Sequence, residues 1–168
     1  MAEGANVKSL AGLEVFKNMT SFAFVGTTQF DDVDLSGCTA LTTITVSPSK
    51  GYNTIKLPAG VVSFTSVCSD AASIGPKELD LTAYTNLETV DVGGTSWGSG
   101  SKALVSLNCK GLAKLKLIRA AFASAKTINI SGCDLLQGYV DDADGRRLNN
   151  YPGESVIINL ADDGESAS

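Results

Sequence analysis

VDLSGCTALTTITV, residues 33–46, decides the fold. Its ends are two apolar triplets, Val33-Asp34-Leu35 and Ile44-Thr45-Val46, each with a polar residue in the middle. That alternation is the period of a β-strand, whose successive side chains face opposite ways. A corner of small and turn-forming residues, Ser36-Gly37-Cys38-Thr39-Ala40-Leu41, separates the two. LDLTAYTNLETVDV, residues 79–92, repeats the arrangement position for position. A strand of three residues is not stable alone. The repeat therefore predicts similar rungs stacked along a solenoid.

Working outward, the triplets Phe22-Ala23-Phe24, Val33-Asp34-Leu35, Ile44-Thr45-Val46 and Ile55-Lys56-Leu57 start 11 residues apart. Leu79-Asp80-Leu81 and Val90-Asp91-Val92 keep that interval, as do Ile128-Asn129-Ile130 and the weaker Tyr139. Leu107-Asn108-Cys109 and Leu115-Lys116-Leu117 fall between them irregularly. The rungs alternate between two classes. One precedes the small-residue corner; the other follows it in the pattern Leu41-x-x-Ile44-x-Val46, Leu87-x-x-Val90-x-Val92 and Leu112-x-x-Leu115-x-Leu117. One coil is then about 22 residues, with two strands and two corners, and the chain holds five to six coils. Two stretches, 47–53 and 93–103, read as interruptions.

Residues 33–46 and 79–92 resemble the leucine-rich repeats of bacterial surface proteins, in which LDLSxCTALTxLDV units recur. ALVSLNCKGLAKLKL (103–117) is similar to the short Asn/Cys-bearing strands that alternate with them, and GLEVFKNMTSF (12–22) to their lead-in. The resemblance covers about residues 12–140. It implies a mainly β, leucine-rich-repeat-like solenoid and a recognition or adhesion role. The regular Asn ladder of such arrays is missing.

The ends fit this reading. Val7, Leu10, Leu13 and Phe16 step by three, which predicts a short helix or turn as an N-terminal cap over residues 1–18. The repeat solenoid spans 19–140. Residues 141–168 form a C-terminal cap, with a strand at Val156–Leu160 and a frayed acidic tail.

The composition excludes several classes. Net charge is −5, and the basic stripe a nucleic-acid binder needs is missing. No apolar run approaches the ~18 residues of a spanning helix, so no membrane insertion is expected. The first residues carry neither the basic nor the apolar part of a signal peptide. The chain is then expected to be retained in a cell, to be a mature or cloned fragment from a cell surface, or to belong to a virion.

The chain contains no histidine, which removes Ser-His-Asp and Cys-His catalysis and zinc held by imidazole. Asp141-Asp142-Ala143-Asp144-Gly145 fails as a calcium loop, because Val140 and Tyr151 stand where ligands are required. No enzyme activity and no cofactor are expected. Cys38 and Cys133 share a corner position with Tyr84, so they read as buried thiols several coils apart, too far for a disulfide.

Contacts are expected at the interruptions. Tyr52 lies at the first. The second, Gly/Ser-rich, holds Thr95, Ser96, the single Trp97 and Lys102. An exposed Trp on such a loop is a common anchor. Two outward stripes are further candidates: Asp34, Lys56, Asp80, Asn108 and Asn129, and Ala23, Thr45, Asp91 and Lys116. The expected function is non-catalytic recognition of a protein partner. The alternative is a structural accessory protein of a self-assembling body such as a bacteriophage virion.

Overall fold

A computed structural model describes residue 7, residues 9–93, 100–120 and 123–136, and the backbone of two strands beyond them. The chain is a parallel β-solenoid of about five coils. Odd strands build one face: β1 (Ser21–Gly26), β3 (Thr43–Pro48), β5 (Ser63–Thr65), β7 (Thr89–Asp91), β9 (Leu117–Arg119) and β11 (Tyr139–Asp141). Even strands build the other: β2 (Asp32–Asp34), β4 (Thr54–Lys56), β6 (Glu78–Asp80), β8 (Ser106–Asn108) and β10 (Thr127–Asn129). The last strand, β12 (Val156–Asn159), joins the first face.

The first face is one seven-stranded sheet in the order β1-β3-β5-β7-β9-β12-β11. Thus β12 inserts between β9 and β11, and the last strand in sequence is not the last in space. The second face is split into β2-β4 and β6-β8-β10.

Register sets the coil length. Phe22 pairs with Ile44 and Val33 with Ile55, a repeat of 22 residues as the sequence predicts. Ile44 then pairs with Phe64, Phe64 with Val90, and Val90 with Ile118, so the coil shortens to 20 residues and then lengthens to 26 and 28.

The inward residues stack into one core. Ile44, Phe64, Val90 and Ile118 line the first face and Val33, Leu79, Leu107 and Ile128 the second, all buried. Each such side chain contributes about 1.5–3 kcal/mol of transfer free energy, which small strands with few bonds of their own depend on. The corner between even and odd strands adds three inward positions, as in Leu35, Cys38 and Leu41. Each is reached by one turn: Cys38 N–H donates to Leu35 C=O at 3.0 Å, and Leu41 N–H to Cys38 C=O at 2.9 Å. The same double turn recurs at Leu81-Tyr84-Leu87, Cys109-Leu112-Leu115 and Ile130-Cys133-Leu136. Cys38 and Cys133 are buried corner residues, and all four cysteines are free.

Three readings need correction. Leu115-Lys116-Leu117 is not a rung. Leu115 ends the double turn, and the strand begins at Leu117 with Ile118 inward. Leu117 mimicked an inward residue, while small Ala120 hid the true partner of Ile118. Lys116 therefore leaves the outward stripe, and Arg119 takes the place beside Asp91. Secondly, residues 47–53 do not interrupt the rhythm, because Val33 and Ile55 pair across them in full register. Thirdly, β5 is a rung that the triplet pattern does not predict. Its inward pair is Phe64 and Ser66, and a buried serine breaks the apolar alternation.

The N-terminal cap is one 3-10 turn, Leu13–Val15. Leu10 is buried, and Val7, Leu13 and Met19 pack against the core. Phe16, expected on the same side, is 59% exposed.

Candidate interaction edge

The two corners of the coil differ in how far they vary. From even to odd strands, the inward residues Val33→Ile44, Leu79→Val90 and Leu107→Ile118 are each 11 apart, and Ile55→Phe64 is 9 apart. From odd to even strands the intervals are 11 for Phe22→Val33 and Ile44→Ile55, then 15 for Phe64→Leu79 and 17 for Val90→Leu107, and 10 for Ile118→Ile128. Added length is therefore concentrated at one edge, over residues 66–77 and 92–105. In solenoids, insertions collected on one side commonly mark the binding side.

This edge is tied down from inside. Its corners stack through backbone bonds: Phe30 N–H to Gly51 C=O at 3.0 Å, Asn53 N–H to Asp31 C=O at 2.8 Å, and Ile74 N–H to Lys50 C=O at 3.0 Å. Beneath them runs a row of buried serines. Ser47 Oγ accepts Val67 N–H at 3.0 Å. Ser101 Oγ accepts Cys68 N–H at 3.3 Å and donates to Ser66 C=O at 2.9 Å. Ser66 Oγ lies 2.6 Å from the Tyr52 hydroxyl. Each polar atom replaces water lost on burial, as a buried polar group requires.

Tyr52 is fully buried. Its hydroxyl serves this row rather than the surface, and burial pushes its ionisation far above the usual tyrosine range. A tyrosine beside Gly51 in a polar stretch looks like a contact residue in sequence. Its partner, Ser66, is 14 residues away. Burial likewise raises the Cys68 thiol to about 11 and the Cys109 thiol to about 12. At neutral pH both are inert small hydrophobes.

Thr95, Ser96 and Trp97 lie outside the described residues, whereas the stems of their loop are described. Gly93 N–H donates to Asp91 Oδ1 at 3.0 Å on one side. On the other, Lys102 N–H donates to Cys68 C=O at 3.0 Å, and the Lys102 side chain is half-buried. Burial raises the Asp91 carboxyl, partly offset by its bond from Gly93. Asp144 and Gly145 of the acidic stretch also lie outside the described residues. Among the described residues no cluster of His, Cys, Asp or Glu can hold a metal ion, and no helix is long and apolar enough to cross a membrane.

The stripe faces outward in two paired rows, Asp34 with Lys56 and Asp80 with Asn108 and Asn129. Across coils Lys56 Nζ lies 3.7 Å from Asp34 Oδ2 and Asn108 Nδ2 donates to Asp80 Oδ2 at 3.3 Å, while the rest of its bonding is local. Asp34, Asp80, Asn108 and Asn129 each accept the N–H two residues on, from Ser36, Thr82, Lys110 and Ser131, at 3.0–3.2 Å. These Asx-type turns start the corner. Lys56 is the exception, and the residue two on is Pro58, which has no N–H to satisfy. The stripe is a capping device.

The fold and this edge define a parallel β-solenoid with one regular and one elaborated corner. Comparison with protein-family models, curated proteins and solved structures gives no match.

Proposed function

We propose that this protein is a non-catalytic recognition module of leucine-rich-repeat type that contacts a protein partner along its elaborated corner. The observation that carries the reading is the concentration of extra length at one edge, where intervals reach 15 and 17 residues while the opposite corner stays at 9 to 11 as far as β9. Trp97, Thr95, Ser96 and Lys102 are the contact residues on this reading, with Trp97 as the anchor. The reading includes no catalytic step, and without histidine the chain cannot build a Ser-His-Asp or Cys-His arrangement.

A photo-crosslinking residue at position 97, compared with one at position 110 on the regular corner, tests the edge in material from the native source. Adducts from position 97 and none from 110 support the proposal, and Trp97→Ala then weakens capture without loss of folding. Equal adducts from both positions, or binding untouched by Trp97→Ala, retire it. A structural role in a larger assembly, such as a bacteriophage virion, is the second reading. It is favoured by the place of β1 at the end of its sheet, where β3 is its one pairing strand among the described residues.

A further inference from the structure

We infer that the outer edge of β1 docks a second copy of this chain, strand against strand and antiparallel. β1 ends the seven-stranded sheet and, among the described strands, pairs only with β3. A strand in that position presents a row of unpaired N–H and C=O groups, and natural proteins guard such edges with Lys, Pro or a bulge. The strand Ser-Phe-Ala-Phe-Val-Gly has none of the first two, and no charged residue occurs from Asn18 to Phe30.

The same end of the molecule exposes apolar side chains beside Glu14, Lys17 and Asn18. Val15, Phe16 and Val25 are 67%, 59% and 76% exposed, and Phe16 and Met19 help line a shallow open depression beside the strand. In a chain of net charge −5, self-association needs a neutral surface, and this edge supplies one.

Charge selects the direction. Glu14 and Lys17, whose charges cancel, precede the strand, while Asp31 and Asp32 follow it, and all four are exposed. An antiparallel pair about a two-fold axis brings the Lys17 end of one copy towards the Asp31-Asp32 end of the other. A parallel pair would set the two Asp31-Asp32 ends side by side. A two-fold contact is self-complementary, so one strand provides both halves and the assembly closes as a dimer.

Sedimentation equilibrium of the full chain tests this over a concentration series. The expected result is a dimer whose dissociation constant rises about tenfold or more in Val25→Lys, because a charge is then set at the pairing edge. Val25 is exposed, so this variant is expected to fold, and its melting curve checks that. Lys17→Glu weakens the dimer, and adding Asp31→Lys and Asp32→Lys restores it. A chain monomeric up to ~1 mM overturns the proposal, as does a dimer indifferent to Val25→Lys. A complex formed only with a different protein overturns it too. Strengthening by Lys17→Glu overturns the antiparallel arrangement.

Discussion

The hydroxyl of Tyr84 accepts the backbone N–H of Leu57 at 3.1 Å, across the junction of β4 and β6, which do not pair. At every other described junction of the second face, the N–H equivalent to that of Leu57 finds a carbonyl of the next coil. Leu35 donates to Lys56, Leu81 to Asn108 and Cys109 to Asn129, at 2.8–2.9 Å. Between β4 and β6 the ladder is missing, and a side chain fills the gap. Asn86 adds a second stitch, donating from Nδ2 to Ala59 C=O at 3.2 Å.

Tyr84→Phe removes one acceptor and leaves the Leu57 N–H unsatisfied at a part-buried site. The expected loss of stability is about 1–3 kcal/mol, read by urea denaturation with an unchanged slope. A loss under about 0.5 kcal/mol would mean that water replaces the hydroxyl without penalty.

Gly51 has φ of 84° and sits under the returning loop of the next coil, where an added Cβ would run into the Gly75 carbonyl and Ser73 Oγ. Gly111 has φ of 76° with open space around it. Gly111→Ala then suffers only the left-handed backbone penalty of about 1–2 kcal/mol. Gly51→Ala adds a steric conflict with backbone and is expected to lose clearly more, by the same denaturation assay. Equal losses would show that the loop over Gly51 yields freely.

Acid weakens the fold through the capping row. Hydrogen bonds from the Ser36 hydroxyl and N–H hold the Asp34 carboxyl below its usual range, and those from Thr82 do the same for Asp80. A carboxyl depressed in the folded state stabilises above its unfolded value, near pH ~4, and loses that contribution as pH falls through the folded value. Asp91, raised by burial, works with the opposite sign. Asn keeps the acceptor that the turn needs, as Asn108 and Asn129 demonstrate. Asp34→Asn with Asp80→Asn is therefore expected to flatten the fall in melting temperature between about pH 6 and about pH 3. An unchanged slope would assign acid sensitivity to other groups.

Much of the fold was legible because strand and corner each carry their own period. Val33-Asp34-Leu35 and Ile44-Thr45-Val46 announce strands by alternation, and the threefold step Leu35, Cys38, Leu41 marks the corner. The reading failed where an inward position is not apolar or an outward one is. Ser66 hid β5, and Leu117 drew a rung three residues out of place. Of the candidate contacts, Lys102 stands at a loop stem, while Tyr52 is buried because its hydroxyl has a partner in another coil.

The sequence by itself determined the coil. Side-chain polarity at short range dictates which residues of each triplet turn inward, and small residues dictate where the chain bends. Tertiary structure decided what depends on neighbouring coils. It set which strands pair, placed β12 between β9 and β11, and used Tyr84 in place of a ladder. It also gathered the added length at one edge. Those outcomes rest on contacts between residues some 20 to 40 positions apart, and local pattern carries no record of them.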